Sequence, residues 1–263
     1  VEGWLLGSLL GDGCFSVNVS TSLDVDPERS RRVNLANHTY QAKLRYWGNS
    51  QVEMKEYALS LVNTLPQSPN PQKLKGIYHS NNKYYEVSSS SLAKLAAKFE
   101  IRHKHKVVTP EIEQASLKFY CGFLRGLFDA DGSVQGTQNK GVSIRLAQSN
   151  LQLLEAVQRM LLRLGIASCI YKNRRVEGTR MMPDSNRELA EYFCKDGLQH
   201  GEVSSPSSPP QHELVIANDN IVIFQEAIGF QEPSKALRLQ SLLSGYKRNF
   251  NRERFAVTVL TIE

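Results

Sequence analysis

The stretches WLLGSLLGDG at residues 4–13 and FLRGLFDADG at residues 123–132 are two copies of one motif, in which Asp12 aligns with Asp131. Each copy runs into an alternating strand, a second strand and an amphipathic helix. These elements are expected at about 14–21, 39–47 and 50–64 in the first half, and at about 133–137, 141–147 and 149–164 in the second. A duplicated unit of this size predicts two structural halves related by a pseudo-twofold axis.

Small residues are spaced four apart in both copies. They are Gly7 and Gly11 in the first copy and Gly122, Gly126 and Ala130 in the second. Residues at positions i and i+4 share one face of a helix, so each motif helix carries a smooth strip on which another backbone can approach closely. The pattern therefore predicts that the two motif helices cross side by side.

Each motif helix ends at Asp-Gly, and a glycine in this place is typical of the left-handed residue that closes a helix. Asp12 and Asp131 then lie on the last turn, where the helix dipole makes a carboxylate unfavourable. Two such carboxylates brought together repel each other, and a divalent cation with hard oxygen ligands, such as Mg²⁺, relieves the repulsion. A metal site is therefore expected at the helix ends. Asp129 is a weaker candidate, because the first copy has Leu10 in its place.

The composition is that of an ordinary globular protein, with 263 residues, 41% hydrophobic and 22% charged. A net charge of +6 permits nucleic acid as a partner without requiring it, since a uniformly basic surface gives the same value. The four cysteines have no C-x-x-C spacing, which argues against a structural zinc site and for a reducing, intracellular compartment. No apolar run approaches the roughly 18 residues of a membrane span, so no membrane association is expected.

The alternating strands offer polar side chains on one face of each expected sheet. Long polar side chains of this kind can contact base edges and phosphates, although solvent exposure alone also produces a polar sheet face. The DNA-binding candidates are Ser16, Asn18, Ser20, Gln41, Lys43, Arg45, Lys73, Lys75 and His79 in the first half, and Ser133, Gln135, Ser143, Arg145, Lys172 and Arg174 in the second.

The segments LLGSLLGDG (5–13) and LRGLFDADG (124–132) resemble the two motifs of a single-chain LAGLIDADG homing endonuclease. The resemblance covers roughly residues 3–246. It implies an α+β fold of two pseudo-symmetric αββαββα halves, with a central two-helix interface and antiparallel sheets that form a DNA-binding saddle. It also implies a monomer that uses Mg²⁺ to hydrolyse both strands of a long double-stranded DNA target, with Mn²⁺ or Ca²⁺ able to occupy the same sites.

The halves are expected at residues 1–110 and 119–263, joined by a linker at 111–118. An insertion at about 173–212 interrupts the second half where a short turn would join two strands, and a short helix is expected within it near 185–195.

Carried over to this chain, Asp12 and Asp131 are the expected catalytic and metal-binding carboxylates, with the preceding Gly11 and Ala130 included in the metal site. Metal ions held there would activate the attacking water and stabilise the leaving oxygen. The family also has a lysine after the last helix of each half, which predicts Lys235 in the second half. In the first half it predicts Lys106, with Lys104 as the near alternative. Solvated loop lysines are the competing interpretation.

Gln148, at the end of a strand in the second half, is expected to order a metal-bound water. Matching it to the first half by the repeat gives Gly48, so this role would be asymmetric.

Two other functions of the same fold stay open, an RNA maturase and a DNA-binding protein without cleavage. The non-cleaving DNA-binding protein normally lacks one motif acid, whereas both are present here; a maturase can retain them.

The segments GFQEPSKALRLQSLL (229–243) and FAVTVLTIE (255–263) also resemble the exit from the endonuclease domain of an intein. They are expected as a helix over Pro233–Lys247 and a strand over Arg254–Ile262, and an intron-encoded enzyme is the alternative origin.

Overall fold

The computed structural model describes residues 1–24, 33–66, 74–102, 105–137, 139, 141–175, 180–183, 189–192 and 210–245. The first half contains α1 (Glu2–Gly11), β1 (Cys14–Asp24), β2 (Val33–Tyr46), α2 (Gln51–Val62), β3 (Ile77–His79), β4 (Tyr84–Ser89), α3 (Ser90–Lys98) and α4 (Pro110–Glu113). The second contains α5 (Leu117–Asp131), β5 (Gly132–Thr137), β6 (Gly141–Gln148), α6 (Leu151–Arg163), β7 (Cys169–Arg175), β8 (Arg180–Pro183), β9 (Leu189–Tyr192), β10 (Gln211–Ala217), α7 (Asn220–Ala227) and α8 (Pro233–Ser244). Among the helices described, none has the length and apolar character that a bilayer crossing requires.

The order αββαββα occurs in the first half, and it occurs in the second half with β8 and β9 inserted between the last two strands and α8 added at the end. This confirms the expected fold class. The first hairpin is longer than expected, because β1 continues to Asp24 and β2 begins at Val33. The helix expected near 185–195 is wrong in its described part, since Leu189–Tyr192 is a strand paired with Arg180–Pro183. The strand expected over Arg254–Ile262 lies outside the described residues.

The chain divides by its internal contacts into two compact units. The first consists of Val1–Asp131 and Gln225–Gln240, and the second of Gly132–Phe224 and Ser241–Glu263. The first unit therefore holds both motif helices, α1 and α5. The segment expected as a linker, 111–118, contains most of α4 and the first residues of α5.

In the first unit, an antiparallel sheet has the strand order β1-β2-β4-β3. Along β2, Ala42, Leu44 and Tyr46 are buried while the residues between them are more exposed, as the alternation predicts. Helix α3 is capped at its start by Ser89, whose hydroxyl accepts a hydrogen bond from Leu92 N. The helix packs with α2 against the sheet.

In the second unit, the sheet order is β5-β6-β10-β7, also antiparallel, with β8 and β9 as a separate hairpin. The connection from β7 to its neighbour β10 contains most of the segment interpreted as an insertion. Helix α6 is capped by Asn150, whose Oδ1 accepts a hydrogen bond from Leu153 N at 3.2 Å. Its apolar face packs on strands β6, β7 and β10 of the sheet.

Helices α1 and α5, hereafter the motif helices, pack through their glycines. A Cβ on Gly7 would overlap the carbonyl oxygen of Phe123, and one on Gly126 would overlap that of Trp4. The expectation of two motif helices crossing at their small residues is therefore confirmed.

The expectation of a left-handed glycine at each helix end is wrong, because neither Gly13 nor Gly132 has a positive φ. Glycine is required at position 13 because there is no room for a side chain. A Cβ there would lie 2.5 Å from the carbonyl oxygen of Leu9, because the chain turns directly from α1 into β1.

Candidate functional site at the ends of the motif helices

The two motif carboxylates lie at the adjoining ends of the packed helices. Asp131 is the last residue of α5, and Asp12 directly follows α1. A Cβ on Gly11 would lie 3.0 Å from Asp131 Oδ2 and 2.5 Å from the Cβ of Ala130. The end of one motif helix therefore touches the acidic end of the other.

Asp12 is open to solvent, yet protein atoms surround it on several sides. The resulting desolvation raises the pKa of its carboxyl group, and the ammonium groups of Lys235 and Lys106 oppose this effect. Asp12 thus lies in a setting where a bound cation would stabilise its charged form.

Each motif helix has a lysine ammonium at its carboxyl end. Lys106 Nζ donates hydrogen bonds to the carbonyl oxygens of Gly11, at 2.9 Å, and Gly13. Lys235 Nζ donates to those of Phe128, at 3.2 Å, Asp129 and Ala130, at 3.3 Å. Gly13 lies beyond α1, but the other carbonyls belong to the last turns of the two helices. Those carbonyls have no hydrogen-bond partner within the helix and form the negative end of its dipole, so they favour a cation.

Burial lowers the pKa of both lysines, and nearby carboxylates oppose that shift. For Lys106 those carboxylates are Asp131 and Asp12, and for Lys235 they begin with Asp129 and Glu232. The two lysines are therefore electrostatically linked to the motif acids. Lys104, the alternative to Lys106, lies outside the described residues.

The oxygen-rich donor set fits a divalent cation that keeps several waters. The described residues hold no cluster of three or more His, Cys, Asp or Glu side chains suited to a metal. A metal here would therefore be held by the two carboxylates, with water or phosphate oxygens completing the shell, as is usual for Mg²⁺. The carbonyl oxygens of Gly11 and Ala130 already accept a lysine hydrogen bond, and each keeps a second lone pair.

Asp129 is buried and serves a different purpose from the two motif acids. Its Oδ2 accepts a hydrogen bond from Trp4 Nε1 at 2.7 Å, and its Oδ1 accepts from the backbone nitrogens of Gln231 at 2.9 Å and Glu232 at 3.0 Å. It thereby ties the segment that precedes Lys235 to the motif helices. These three hydrogen bonds give Asp129 a structural role in the second copy, whereas the first copy has Leu10 at the equivalent position.

Glu232 is a residue that the sequence reasoning missed. Its carboxylate accepts hydrogen bonds from the Ser234 hydroxyl and the Lys235 backbone nitrogen, both at 2.7 Å, at the start of α8. It also accepts one from the Ser50 hydroxyl. The local signal is an acid before Pro-Ser at a helix start, which is common enough to be overlooked.

The strand register corrects the first-half counterpart of Gln148. Ser133 pairs with Arg145 in the second half as Cys14 pairs with Lys43 in the first. Gln148 lies three residues beyond Arg145, so its counterpart is Tyr46, not Gly48. The Tyr46 hydroxyl is buried and has no hydrogen-bond partner among the described residues, although Ser8 is near enough to affect its pKa. Desolvation raises the pKa of Tyr46 well above its ordinary value.

A cleft of about 320 Å³ opens beside this group, and it is lined by Asp12, Tyr46, Lys235, Arg45 and Trp47 among others. A cleft of this size, with a carboxylate and an ammonium in its wall, has space for a phosphate group and several waters.

The sheet of the first unit presents several of the DNA-binding candidates together. Lys43 Nζ lies 2.9 Å from Glu86 Oε1 and Arg45 Nε lies 3.0 Å from Glu86 Oε2. Arg45 also lies over the ring of Tyr84, which stacks on His79. The remaining candidates are not part of the Glu86 group. Ser16 pairs with Gln41 across β1 and β2, and Asn18 and Ser20 also lie on β1. Lys75 is exposed, and Lys73 lies outside the described residues.

The sheet of the second unit joins its candidates through Glu213. Arg145 Nη1 lies 3.2 Å and Arg174 Nε 2.7 Å from Glu213 Oε2, and Arg145 Nε donates to the Ser143 hydroxyl at 3.0 Å. Ser133 pairs with Arg145, and Gln135 pairs with Ser143.

Lys172 is not part of the Glu213 group, although alternation predicts that it shares a face with Arg174. Asn173 has a φ of 52°, and the pairing of β7 with β10 shifts register next to it. This irregularity breaks the alternation. Lys172 lies 4.0 Å from Glu155 of α6 instead, on the side of the sheet that the helix covers.

Comparison with known proteins supports the fold assignment. Residues 118–229 match the model of a LAGLIDADG-like domain. The chain is similar in structure to the meganuclease I-SmaMI bound to uncleaveable DNA, with a TM-score of 0.51, 10% identity and coverage of 92% of this chain and 89% of that one. For the homing endonuclease I-DmoI in complex with DNA and Ca the TM-score is 0.49, with 17% identity and coverage of 91% and 96%.

Among curated proteins, a segment of 128 residues is 30% identical to the ribonucleoside-diphosphate reductase NrdEB subunit alpha of Bacillus subtilis strain 168. That match covers 48% of this chain and 11% of the reductase subunit. The expected resemblance is confirmed by the LAGLIDADG-like domain and by the fold shared with a meganuclease.

Proposed function

We propose that this chain, with a LAGLIDADG-like domain in its second half and the fold of a single-chain homing endonuclease, is a monomeric, metal-dependent endonuclease that cuts both strands of a long DNA target. The observation that carries the proposal is the pairing of Asp12 and Asp131 at the adjoining ends of the motif helices, with Lys106 and Lys235 on the same helix ends. A helix crossing with a purely structural role does not require two acids and two half-buried ammonium groups at one end.

Divalent metal bound by Asp12 and Asp131 would supply an activated water and stabilise the leaving oxygen. The chain's own groups would do the rest. Lys106 and Lys235 each place a positive charge beside a motif acid, where negative charge develops on the phosphate. Tyr46 and Gln148, at equivalent strand ends, would orient water in their respective halves.

The basic sheet faces support double-stranded DNA as the substrate, because cations are grouped on both sheets. I-SmaMI, which shares the fold, has been crystallised on uncleaveable DNA. Mg²⁺ is the metal we propose, with Mn²⁺ or Ca²⁺ able to take its place. With both motifs in one chain, a second copy is not required to complete the pair of acids.

The test is cleavage of a plasmid library that carries randomised inserts, with Mg²⁺, by the wild type, Asp12→Asn and Asp131→Asn. We expect the wild type to linearise a discrete subset of plasmids and each single variant to lose this activity or only to nick. The matched control is Asp219→Asn, which makes the same change on an exposed turn and should cleave like the wild type.

Two results would contradict the proposal. Tight binding of DNA or RNA without cutting in Mg²⁺ or Mn²⁺ would favour a regulator or a maturase of the same fold. Full double-strand cleavage by both aspartate variants would remove the motif acids from the chemistry.

A further inference from the structure

Each sheet contains one buried glutamate among its basic side chains. The side chain of Glu86 is 5% exposed and that of Glu213 is 8% exposed. Both lie where the sheet surface otherwise presents polar and cationic groups, and a carboxylate repels DNA. A structure built only for affinity would have an uncharged residue at these places.

The two glutamates occupy the same position in their sheets. Lys43 of β2 pairs with Ser88 of β4, and Glu86 lies two residues before Ser88. In the second sheet Arg145 of β6 pairs with Val215 of β10, and Glu213 lies two residues before it. Since Lys43 and Arg145 are themselves equivalent by register, the duplication extends to these acids, although the surrounding sequences differ.

Each glutamate binds two cations from neighbouring strands. Glu86 contacts Lys43 and Arg45, both on β2, and it accepts a further hydrogen bond from the Ser88 hydroxyl at 3.1 Å. Glu213 contacts Arg145 on β6 and Arg174 on β7. Burial alone would raise the pKa of Glu86, but the hydrogen bonds from Lys43, Arg45 and Ser88 together lower it, so the carboxylate is held in its charged form.

Such a carboxylate fixes the direction of flexible side chains. Lysine and arginine have long side chains with many rotamers, so holding one of them in a single geometry costs conformational entropy. A cation that is already held by a buried partner has less freedom to turn toward the nearest phosphate, and its remaining donors stay aimed outward. We call Lys43, Arg45, Arg145 and Arg174 the reader cations. Their side chains are 23% to 41% exposed, so they are accessible from the sheet surface.

We propose that Glu86 and Glu213 are specificity-determining positioning residues, each of which holds two reader cations for base contacts and prevents them from binding phosphates indiscriminately. The inference rests on the proposed function, because it requires that these sheets contact DNA. The glutamates themselves need not touch the DNA. Their effect is on the difference between target and non-target affinity, which determines specificity.

The experiment measures binding of two DNA probes over a series of salt concentrations, with Ca²⁺ in place of Mg²⁺. One probe is a pool of random-sequence duplexes, and the other is the duplex that the wild type selects from that pool. In Glu86→Gln, the freed cations should bind phosphates. The slope of log K against log salt on the random pool should then steepen by about 0.9 for each cation released. The preference for the selected duplex should fall by roughly tenfold, the loss expected for one good base contact.

Glu213→Gln should give the same result in the second sheet, and it serves as an independent variant if Glu86→Gln folds poorly. The matched control is Glu56→Gln, an exposed acid of α2 paired with Lys55, which changes the net charge equally. It should leave both slope and preference near the wild-type values.

A double-mutant comparison separates positioning from a general effect on structure or charge. In a Lys43→Met/Arg45→Met background, adding Glu86→Gln should no longer steepen the salt slope, because the cations that it would release are absent. If the slope still steepens by the same amount there, Glu86 does not act through its partners and the inference is overturned.

The failure of this inference differs from the failure of the proposed function. If the wild type binds and cleaves a selected duplex while Glu86→Gln and Glu213→Gln keep its slope and preference, only the positioning role is wrong. If the wild type binds no duplex at all, the proposed function fails and the positioning role fails with it.

Discussion

The indole nitrogen of Trp4 lies 2.7 Å from Asp129 Oδ2, so a side chain of one motif helix is hydrogen-bonded to a side chain of the other. The same carboxylate accepts two backbone hydrogen bonds from the segment just before α8. One buried acid therefore joins three elements and places Lys235 at the end of α5. The first copy of the motif has Leu10 in this position, so the two helix ends are built differently although both carry a lysine.

Trp4→Phe should destabilise the fold by about 1–3 kcal/mol, because it leaves a buried, hydrogen-bonded carboxylate without one of its donors. Chemical denaturation measures this as a lower midpoint with an unchanged slope. Trp47→Phe is the matched control. Because Trp47 is 48% exposed, this substitution should reduce the free energy of unfolding only slightly. Equal midpoints for the wild type and Trp4→Phe would mean that the Trp4 hydrogen bond contributes nothing to stability.

Gly7→Ala and Gly126→Ala should each cost about 3 kcal/mol or more, because the added Cβ would overlap a backbone oxygen of the other motif helix and no rotamer change relieves it. Gly122→Ala is the control on the same helix. There the Cβ would lie 3.3 Å from Trp4 N, and the gain in helix propensity, up to about 1 kcal/mol, offsets the contact. Thermal unfolding of the three variants tests the ranking, which fails if Gly122→Ala is as unstable as the others.

Lys106→Met and Lys235→Met should each slow cleavage by roughly 100-fold, the usual effect of losing one group that stabilises transition-state charge. Each should affect chiefly one strand, so nicked DNA should accumulate. The readout is the single-turnover rate for each strand at saturating enzyme. Lys94→Met, an exposed change on α3, should cleave at the wild-type rate. Unchanged cleavage rates for both variants would mean that these lysines only cap the helix ends and take no part in cleavage.

Glu86→Gln should lower stability at neutral pH by about 1–3 kcal/mol, because hydrogen bonds to a charged group are lost. Since the folded protein holds the pKa of Glu86 below its ordinary value of 4.5, the carboxylate contributes stability above that pH. This contribution is lost as the pH falls through the lower, folded-state pKa. The unfolding free energies of the variant and the wild type should therefore converge in acid. A gap that stays constant from neutral pH to strongly acidic pH would contradict this account.

The sequence by itself determined what depends on local pattern. Glycines at positions i and i+4 indicate a close helix contact, because they share one face. Alternation in the strands marks the buried face, and an Asp at each motif end identifies Asp12 and Asp131 as candidates. These inferences need only the 3.6-residue period of a helix and the two-residue period of a strand.

Only the tertiary structure decided what depends on register and on partners far apart in the chain. The register shows that Tyr46, not Gly48, is the counterpart of Gln148. A register shift in the pairing of β7 with β10, beside Asn173, turns Lys172 away from Arg174. The local sequence does not predict this shift.

In the sequence Glu86 and Glu213 are ordinary acids and Asp129 is only a weaker candidate for the metal site, yet each of the three is buried among donors from other elements. The physical reason is that the role of a buried charge is set by which groups surround it. For these three acids, the surrounding groups come together only when strands and helices that are distant in sequence have packed.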